Sequence, residues 1–268
     1  MGGRNRDPDR AAATLDQGGL TGVSDPRTPQ QPGSGNALRI LIVSDAWYPQ
    51  VNGVVRTLDA IGEELRGIGH VVHFITPDLF RTIPCPTYPE IRLALLPGRK
   101  LARMIDAWQP CVVHIATEGP IGIAARRYCR RRGLPFTTSF HTRFPEYIEA
   151  RTRIPARWFY PALRDFHNGG NCIMVATETL RQDLGARGFH NLALWGRGVD
   201  VTLFKPRDKS FLQDPRPIYL YVGRVAVEKN ISDFLDLAMP GTKVVVGDGP
   251  LLDSLRRRHP EVRFVGAK

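Results

Sequence analysis

The stretch PIYLYVGRVAVEKN, residues 217–230, decides the fold class, because it joins an apolar run to a glycine turn and a polar segment. Ile218–Val222 is rich in β-branched and aromatic side chains and predicts a buried strand of a parallel sheet. Gly223 lets the chain turn closely after this strand. Asn230 predicts the N-cap of a helix that begins at Ile231. A strand, a tight turn and a helix in this order are the repeating unit of α/β proteins.

Two cations, Arg224 and Lys229, lie in the predicted turn. A helix start presents free backbone N–H groups, and open α/β sheets bind ligands at the carboxyl ends of their strands. The sequence therefore predicts an anion site formed by Gly223, Arg224 and Lys229. Spacing alone leaves a second interpretation equally open, in which both cations are solvated turn residues.

The rest of the chain alternates between the two periodicities. Residues 38–44 and 71–76 predict strands, and residues 54–68 between them have apolar positions at helical spacing, so a βαβ unit opens a parallel sheet. The same alternation predicts further strands at 91–96, 111–115, 135–139, 172–176, 191–194, 242–246 and 262–265, and helices at 100–108, 121–132, 156–167, 179–187, 231–238 and 251–259. The predicted fold class is α/β.

Composition divides the chain into four segments. Residues 1–36 are rich in Gly, Pro, Arg, Asp and Gln without apolar periodicity, and they predict a disordered extension. Residues 37–205 predict one complete Rossmann-like parallel-sheet domain. Residues 206–216 predict a linker, and residues 217–268 predict a partial second Rossmann-like domain.

The protein has 268 residues and a formal net charge of +11, which favours an anionic partner such as a nucleotide diphosphate, an anionic lipid surface or nucleic acid. Its four cysteines have no spacing typical of a disulfide framework or a zinc site, and they predict reduced core residues of a cytosolic protein. Those cysteines are Cys85, Cys111, Cys129 and Cys172. No apolar stretch reaches the ~18 residues of a membrane span, so we expect a cytoplasmic protein, at most peripheral at the inner face of the membrane.

Loops after several strands carry polar residues. Asn52-Gly53 follows the first strand and can present backbone N–H groups at the helix start, although Asn-Gly is also an ordinary turn. Asp200 is predicted to order the start of the linker. The polar residues after two later strands are Glu118, His141, Arg143 and Glu146.

Five short motifs occur in the chain. Each is weak evidence alone, but their order along the chain is specific. They are Asn52-Gly53-Val54, His141, Gly198-Val199-Asp200, Gly223-Arg224 with Glu228-Lys229-Asn230, and Gly247-Asp248-Gly249-Pro250. In this order they resemble the family-4 retaining glycosyltransferases, roughly from Leu38 to Lys268. The amino-acid sequence between Ser44 and Pro206 is most similar to that of the bacterial nucleotide-sugar-dependent α-mannosyltransferases.

The resemblance implies a GT-B fold, in which two Rossmann-like domains face a cleft. It implies transfer of a sugar, with mannose expected, from a nucleotide diphosphate donor to a lipid or glycan acceptor, with retention of configuration. The donor would be GDP-mannose or a UDP-sugar. The resemblance implies no further cofactor and no catalytic metal.

Site residues follow from the resemblance position by position. Arg224 and Lys229 match a diphosphate clamp that neutralises charge on the leaving phosphate, and His141 matches a histidine near the reacting centre. The residues matching donor contacts are Asn52, Gly53, Gly223, Arg224, Lys229, Asp248 and Gly249. Two alternatives stay open. The hydrogen bonds of His141 could be completed within its own loop, and Asp248 with Gly249 could instead cap the helix after Pro250.

Glu118, Arg143 and Glu146 lie on loops of the first domain and are candidates for acceptor recognition. Their spacing is not that of a metal site. An equally open interpretation is that they form a surface charge network.

The family pattern also includes a Glu-x7-Glu pair after the last motif, and this chain has none there. The expectation is therefore a C-terminally truncated enzyme. The alternative function is a catalytically impaired or inactive remnant that keeps the fold.

Basic runs lie at two predicted helix ends, one formed by residues 126–132 and one by residues 256–258. Cations there complement the helix dipole while remaining solvated, which is the simpler interpretation. The alternative is peripheral contact of the first domain with anionic membrane. Nucleic acid is not expected as a partner, because no recognised module is present and aromatic residues are not interleaved with the basic runs.

Overall fold

We describe the protein from a computed structural model, which covers residues 37–50, 52–85, 88–208 and 212–268. The predicted extension at residues 1–36 lies outside the described residues, as do residues 209–211 of the predicted linker. The described part of the predicted linker, residues 206–208 and 212–216, contains neither helix nor strand.

A six-stranded parallel sheet forms the larger part of the fold, with strand order β2-β1-β5-β6-β7-β8. Its strands are β1 (Arg39–Val43), β2 (Val71–Ile75), β5 (Val112–Ile115), β6 (Phe136–Phe140), β7 (Cys172–Val175) and β8 (Leu192–Leu194). The predicted βαβ opening and the parallel sheet are confirmed.

Helices lie in the connections between the strands of this sheet. They are α1 (Gly53–Gly67), α2 (Gly98–Trp108), α3 (Pro120–Arg132), α4 (Phe144–Thr152), α5 (Tyr160–Asn168) and α6 (Glu178–Ala186). The connection from β6 to β7 contains both α4 and α5. Among the described helices of the chain, none has the length and apolar content needed to cross a membrane.

The hydrophobic core lies on both faces of the sheet, because successive strand residues point to opposite sides. Leu41 and Val43 pack in a cluster with residues of α2, α3 and α5. Ile40 and Ile42 point the other way and pack against α1. Helices therefore cover both faces, as a parallel sheet requires.

A hairpin interrupts the alternation between β2 and α2. Its strands β3 (Thr82–Cys85) and β4 (Tyr88–Ala94) pair with each other in antiparallel register. The strand predicted at residues 91–96 is observed as part of β4, but it pairs with β3 in this hairpin and does not join the six-stranded sheet. Strand β3 was not predicted, since Pro84 and the polar residues around it obscure its pattern.

A second parallel sheet, of order β11-β10-β9, follows the predicted linker. It contains β9 (Ile218–Val222), β10 (Thr242–Val246) and β11 (Arg263–Gly266), with α7 (Ile231–Asp236) and α8 (Leu252–Arg258) between them. Val245 packs with residues of both helices in the core of this unit. The prediction that β9 is a buried strand is wrong, because none of its residues is buried and one face is open, with Leu220 55% exposed and Val222 69% exposed.

Several local predictions are corrected by the backbone. Asn230 does not cap α7 with its side chain: its φ is +47°, and its amide donates to Asp233 instead. The predicted helix 156–167 is split into a 3₁₀ turn, Ala156–Trp158, and α5. Glu146, which was predicted to lie on a loop, lies in α4. Of the four cysteines only Cys129 is buried, so the core assignment fails for the other three.

Candidate functional site

Polar side chains gather where strands of the six-stranded sheet end. Asp45 follows β1, Glu118 follows β5 and His141 follows β6, while Trp195 comes directly after β8. The carboxyl ends of parallel strands share one edge, which is where open α/β sheets bind ligands. The candidate site is this edge.

Asp45 is a buried carboxylate at this edge that sequence reasoning did not single out. Its Oδ1 accepts from the backbone N of Ile121 (2.8 Å) and its Oδ2 from that of Gly122 (3.1 Å), at the start of α3. Thr117 Oγ1 also donates to Oδ2 (3.1 Å). Burial raises the pKa of Asp45 to about 6, although these hydrogen bonds oppose the shift. Asp45 therefore fixes α3 and the Thr117–Glu118 loop relative to β1.

Glu118 is held by a buried histidine on α5. Its Oε1 lies 3.0 Å from His167 Nε2, and His167 Nδ1 lies 2.9 Å from Thr138 Oγ1 on β6. His167 is fully buried, while Glu118 is one-quarter exposed at its side chain. The sequence predicts His167 at the end of a helix, but it indicates no functional role for this residue. The structure places Glu118 at the site edge; its contact with an acceptor stays a prediction.

His141 is enclosed by residues that follow β8. Arg197 Nη2 donates to His141 Nδ1 (3.2 Å), and the Trp195 ring meets the imidazole edge-on at a centroid distance of 5.9 Å. Burial, assisted by the positive charge of Arg197, lowers the pKa of His141 to about 3. Within the described part of the chain, His141 Nε2 is buried and has no hydrogen-bond partner.

Arg197 was missed although it lies one residue before the quoted motif Gly198-Val199-Asp200. A cation directly before a motif glycine was the available signal. Asp200 Oδ1 accepts from the backbone N of Thr202 (2.8 Å) and of Leu203 (3.1 Å), so it orders the turn that precedes the predicted linker.

Arg143 and Glu146 take part in a charge network that joins α4 to α5 and α6. Arg143 Nη1 lies 3.0 Å from Asp183 Oδ2 and 3.8 Å from Glu146 Oε1. Tyr160 Oη donates to Glu146 Oε1 (2.6 Å), and burial together with this carboxylate raises the pKa of Tyr160. The Arg187 guanidinium stacks 4.2 Å from the Tyr160 ring centroid. These contacts support the network interpretation, and acceptor recognition by Arg143 and Glu146 stays a prediction.

The glycine turn after β9 is attached to the turn after β10. Gly223 N donates to Val246 O (3.0 Å), and Val225 N donates to Asp248 O (2.9 Å). A Cβ on Gly247 would lie 1.8 Å from Gly223 O, and one on Gly249 would lie 2.4 Å from Val225 O. Glycine is therefore required at both positions for the two turns to touch.

Asp248 does not cap α8, which corrects the alternative given above. Its Oδ1 accepts from the adjacent Gly249 N (2.7 Å), and the residue at the N-cap is Leu251, without a side-chain bond. Donor contact by Asp248 and Gly249 stays a prediction.

The turn itself carries the two predicted cations. Arg224 is partly buried, and its carbonyl accepts from Tyr221 Oη (3.0 Å), whereas Lys229 is exposed. The 3₁₀ turn Val227–Lys229 lies against α4, which begins three residues after His141. The role of Arg224 and Lys229 as a diphosphate clamp stays a prediction.

Asn52 is the N-cap of α1. Its Oδ1 accepts from the backbone N of Val54 and of Val55, both at 3.0 Å. Gly53 is exposed, and a Cβ built on it would meet nothing within 4 Å, which leaves space for a ligand beside its backbone. Donor contact by Asn52 and Gly53 stays a prediction. Across the described ranges, no group of three or more His, Cys, Asp or Glu side chains could hold a metal ion.

Comparison with known proteins identifies the family. Residues 51–203, more than half of the chain, match Glycosyltransferase Family 4. The chain belongs to this family. A GDP-mannose-dependent alpha-mannosyltransferase of Mycobacterium tuberculosis is 28% identical over 261 residues, which covers 86% of this chain and 68% of that protein.

A second relative has another specificity. Alpha-monoglucosyldiacylglycerol synthase of Streptococcus pneumoniae is 23% identical, covering 82% of this chain and 58% of that protein. This family member is therefore a glycosyltransferase with mannosyltransferase and glucosyltransferase relatives.

The fold agrees with this assignment. The crystal structure of Anabaena HepE in complex with UDP and glucose superposes with a TM-score of 0.57 at 11% identity, covering 86% of this chain and 70% of that chain. The α/β fold is that of GT-B glycosyltransferases, which confirms the predicted fold class.

Proposed function

We propose that this family-4 glycosyltransferase transfers a hexose, mannose in the first instance, from a nucleotide diphosphate donor to a lipid or glycan acceptor with retention of configuration. The packing of the 3₁₀ turn Val227–Lys229 against α4 is the observation that carries the proposal. This packing places the cation-bearing turn beside the helix that begins just after His141, so diphosphate and sugar would lie at one edge.

In the proposed reaction, Arg224 and Lys229 bind the donor diphosphate. The bond between the anomeric carbon and the diphosphate oxygen breaks, and its electron pair stays on the leaving nucleoside diphosphate. An acceptor hydroxyl oxygen takes its place on the anomeric carbon, and the proton of that hydroxyl passes to the leaving diphosphate. The two cations stabilise the negative charge where it develops, which is the largest catalytic term in many transferases.

The donor and acceptor classes are supported by the relatives. The mycobacterial relative is named for GDP-mannose, and the streptococcal relative for a glucosylated diacylglycerol. We extend both to this chain as a proposal: GDP-mannose or a UDP-sugar as donor, and a lipid among the candidate acceptors. The residue assignments given above from the resemblance, and the domain boundaries at residues 205 and 217, belong to the same proposal.

Transfer of a labelled sugar tests the proposal. The full chain is incubated with radiolabelled GDP-mannose or UDP-glucose and either diacylglycerol-containing vesicles or a mannoside, and labelled product is counted. We expect product with GDP-mannose. Calorimetric titration with GDP and UDP runs in parallel. Binding of GDP without transfer would support the alternative of a catalytically impaired protein, and absence of both binding and transfer would contradict the proposal.

A further inference from the structure

The His141 ring is oriented by two residues of one separate segment. Arg197 donates to Nδ1 at 3.2 Å, and Trp195 contacts the ring edge-on. Both follow β8, whereas His141 follows β6. The orientation of the ring therefore depends on the junction between the loops after these two strands.

The chemistry of the arginine determines the position of the imidazole proton. A guanidinium has five N–H donors and no acceptor, so Nδ1 must accept and cannot carry a hydrogen. The hydrogen of the neutral ring is then on Nε2. In the described part of the chain this atom is buried without a partner. A buried donor without a partner is costly, and a ligand oxygen bound to Nε2–H would remove this cost.

We propose that Arg197 is a positioning residue that fixes His141 as the neutral Nε2–H tautomer, whose Nε2–H donates a hydrogen bond to an oxygen of the transferred sugar. The proposal rests on the function proposed above, since that function supplies the sugar. It adds that Arg197 determines which nitrogen of His141 carries the hydrogen.

Electrostatics around the ring is consistent with a neutral histidine. The titratable and charged groups that act on the His141 pKa are Arg197, His114 on β5 and His167 on α5, and each lowers it in addition to burial. With a pKa of about 3, the ring carries no charge at neutral pH. The hydrogen on Nε2 is therefore available over the whole physiological range.

The tautomer is measured directly by ¹⁵N NMR of the full chain labelled at histidine. We expect His141 to show a protonated Nε2 and an unprotonated Nδ1 from about pH 5 to pH 8. Arg197→Met should release the ring, giving a mixture of tautomers and a higher pKa. Arg197→Lys should restore the wild-type tautomer, because an ammonium can also donate to Nδ1. An unchanged His141 spectrum in Arg197→Met would overturn the inference.

Arg207→Met is the matched control. It removes the same charge from the same stretch of chain, but Arg207 Nη2 donates to the carbonyl of Leu203 (3.0 Å) and not to His141. We expect this variant to keep the wild-type histidine spectrum. A shift of His141 as large as in Arg197→Met would mean that charge alone acts, and it would overturn the assignment to Arg197.

The contact with sugar is measured as the ratio of affinities for GDP-mannose and GDP. Arg197→Met should reduce this ratio roughly fivefold to tenfold, the effect of one neutral hydrogen bond, while affinity for GDP changes little. Adding His141→Phe should cause no further loss, because both changes remove the same contact. A ratio independent of Arg197 would contradict this inference alone, whereas a wild-type chain that bound neither compound would contradict the proposed function.

Discussion

Burial acts on the acid and base residues of the site in opposite directions and for one reason. It raises the pKa of Asp45 to about 6 and lowers that of His141 to about 3, because a low-dielectric environment disfavours the charged form of either group. His114, buried between Thr137 and Ser139, has its pKa lowered to about 4 in the same way. Positive charge for a diphosphate must therefore come from arginine and lysine.

Arg224 is the residue at which the proposed clamp is tested. Arg224→Ala should weaken GDP binding by roughly 1.5–3 kcal/mol, the range for a hydrogen bond to a charged group, because the guanidinium no longer contacts the diphosphate. Isothermal calorimetry of the purified full chain gives the dissociation constant. Arg257→Ala on α8 is the control, since it removes one exposed cation from the same part of the chain. Equal GDP affinity in wild type and Arg224→Ala would remove the site assignment.

Asp45 predicts a pH dependence of stability with a definite sign. Because its pKa is raised from 3.8 to about 6 in the folded protein, the folded state holds a proton that the unfolded state releases. Its contribution to the free energy of unfolding is complete below about pH 4 and falls by about 3 kcal/mol as the pH rises through 6.

The prediction is measured by denaturant unfolding of wild type and Asp45→Asn from pH 4 to pH 7. The amide does not titrate, so subtracting the two curves cancels most other groups. Wild type should lose stability relative to Asp45→Asn across this interval. A constant difference would show that Asp45 keeps an ordinary pKa.

At the scale of elements, the conformation of the glycine turn after β9 depends on its contact with the turn after β10. Gly247 has a φ of +150°, and a Cβ there would overlap Gly223 O at 1.8 Å. Gly247→Ala should therefore lower the free energy of unfolding by roughly 2–4 kcal/mol and weaken GDP binding, because the turns after β9 and β10 must separate. Chemical denaturation and calorimetry provide the two measurements.

Gly67→Ala is the matched substitution, at the end of α1 where an added Cβ meets nothing within 4 Å. It should change stability by less than about 1 kcal/mol, in the stabilising direction, because alanine has less freedom to lose in a helix. Similar losses in both variants would show that contact between the two turns is unimportant.

Elements with strong periodicity were predictable, and those set by tertiary contacts were not. The apolar positions in residues 54–68 predicted α1 almost to its ends. Helical spacing can be read from the sequence without information on the residues against which the helix packs. The exposed face of β9 could not be predicted, since Leu220 and Val222 are as apolar as buried strand residues. Helix α4 was missed because its apolar pattern is weak and its place depends on the Arg143–Asp183 contact.

The candidate site shows the same difference between features that have a sequence signal and features that depend on tertiary contacts. His141, Glu118 and the glycine turn were found because they follow strands or match motifs. Asp45, His167 and Arg197 were not found, because their roles arise from contacts with residues 29 to 77 positions away. The Asp45 carboxylate, for example, caps a helix whose Gly122 is 77 residues further along the chain. Linear spacing contains no signal for such pairs.

At the scale of the whole molecule, the excess positive charge has a local concentration. Arg127, Arg130 and Arg131 lie with the half-exposed Ile123 along one side of α3 and line a shallow depression there. Within the part of the chain that the structure describes, no ion pair involves these three arginines, whereas Arg132 pairs with Asp106. This arrangement suits an anionic surface better than a compact ligand.

We therefore expect the full chain to bind vesicles containing phosphatidylglycerol and not vesicles of phosphatidylcholine alone. Replacing Arg127, Arg130 and Arg131 together with Gln should reduce this binding roughly 100-fold, because each cation near such a surface contributes about 1 kcal/mol. Vesicle cosedimentation gives the partition coefficient, and added salt should weaken wild-type binding by screening.

The triple replacement of Arg256, Arg257 and Arg258 with Gln on α8 is the control, because it removes the same charge from another helix end. It should leave most of the vesicle binding intact. If both triple variants lost binding equally, net charge rather than the α3 surface would be responsible. If wild type did not bind anionic vesicles, the arginines of α3 would be solvated cations that complement the helix dipole.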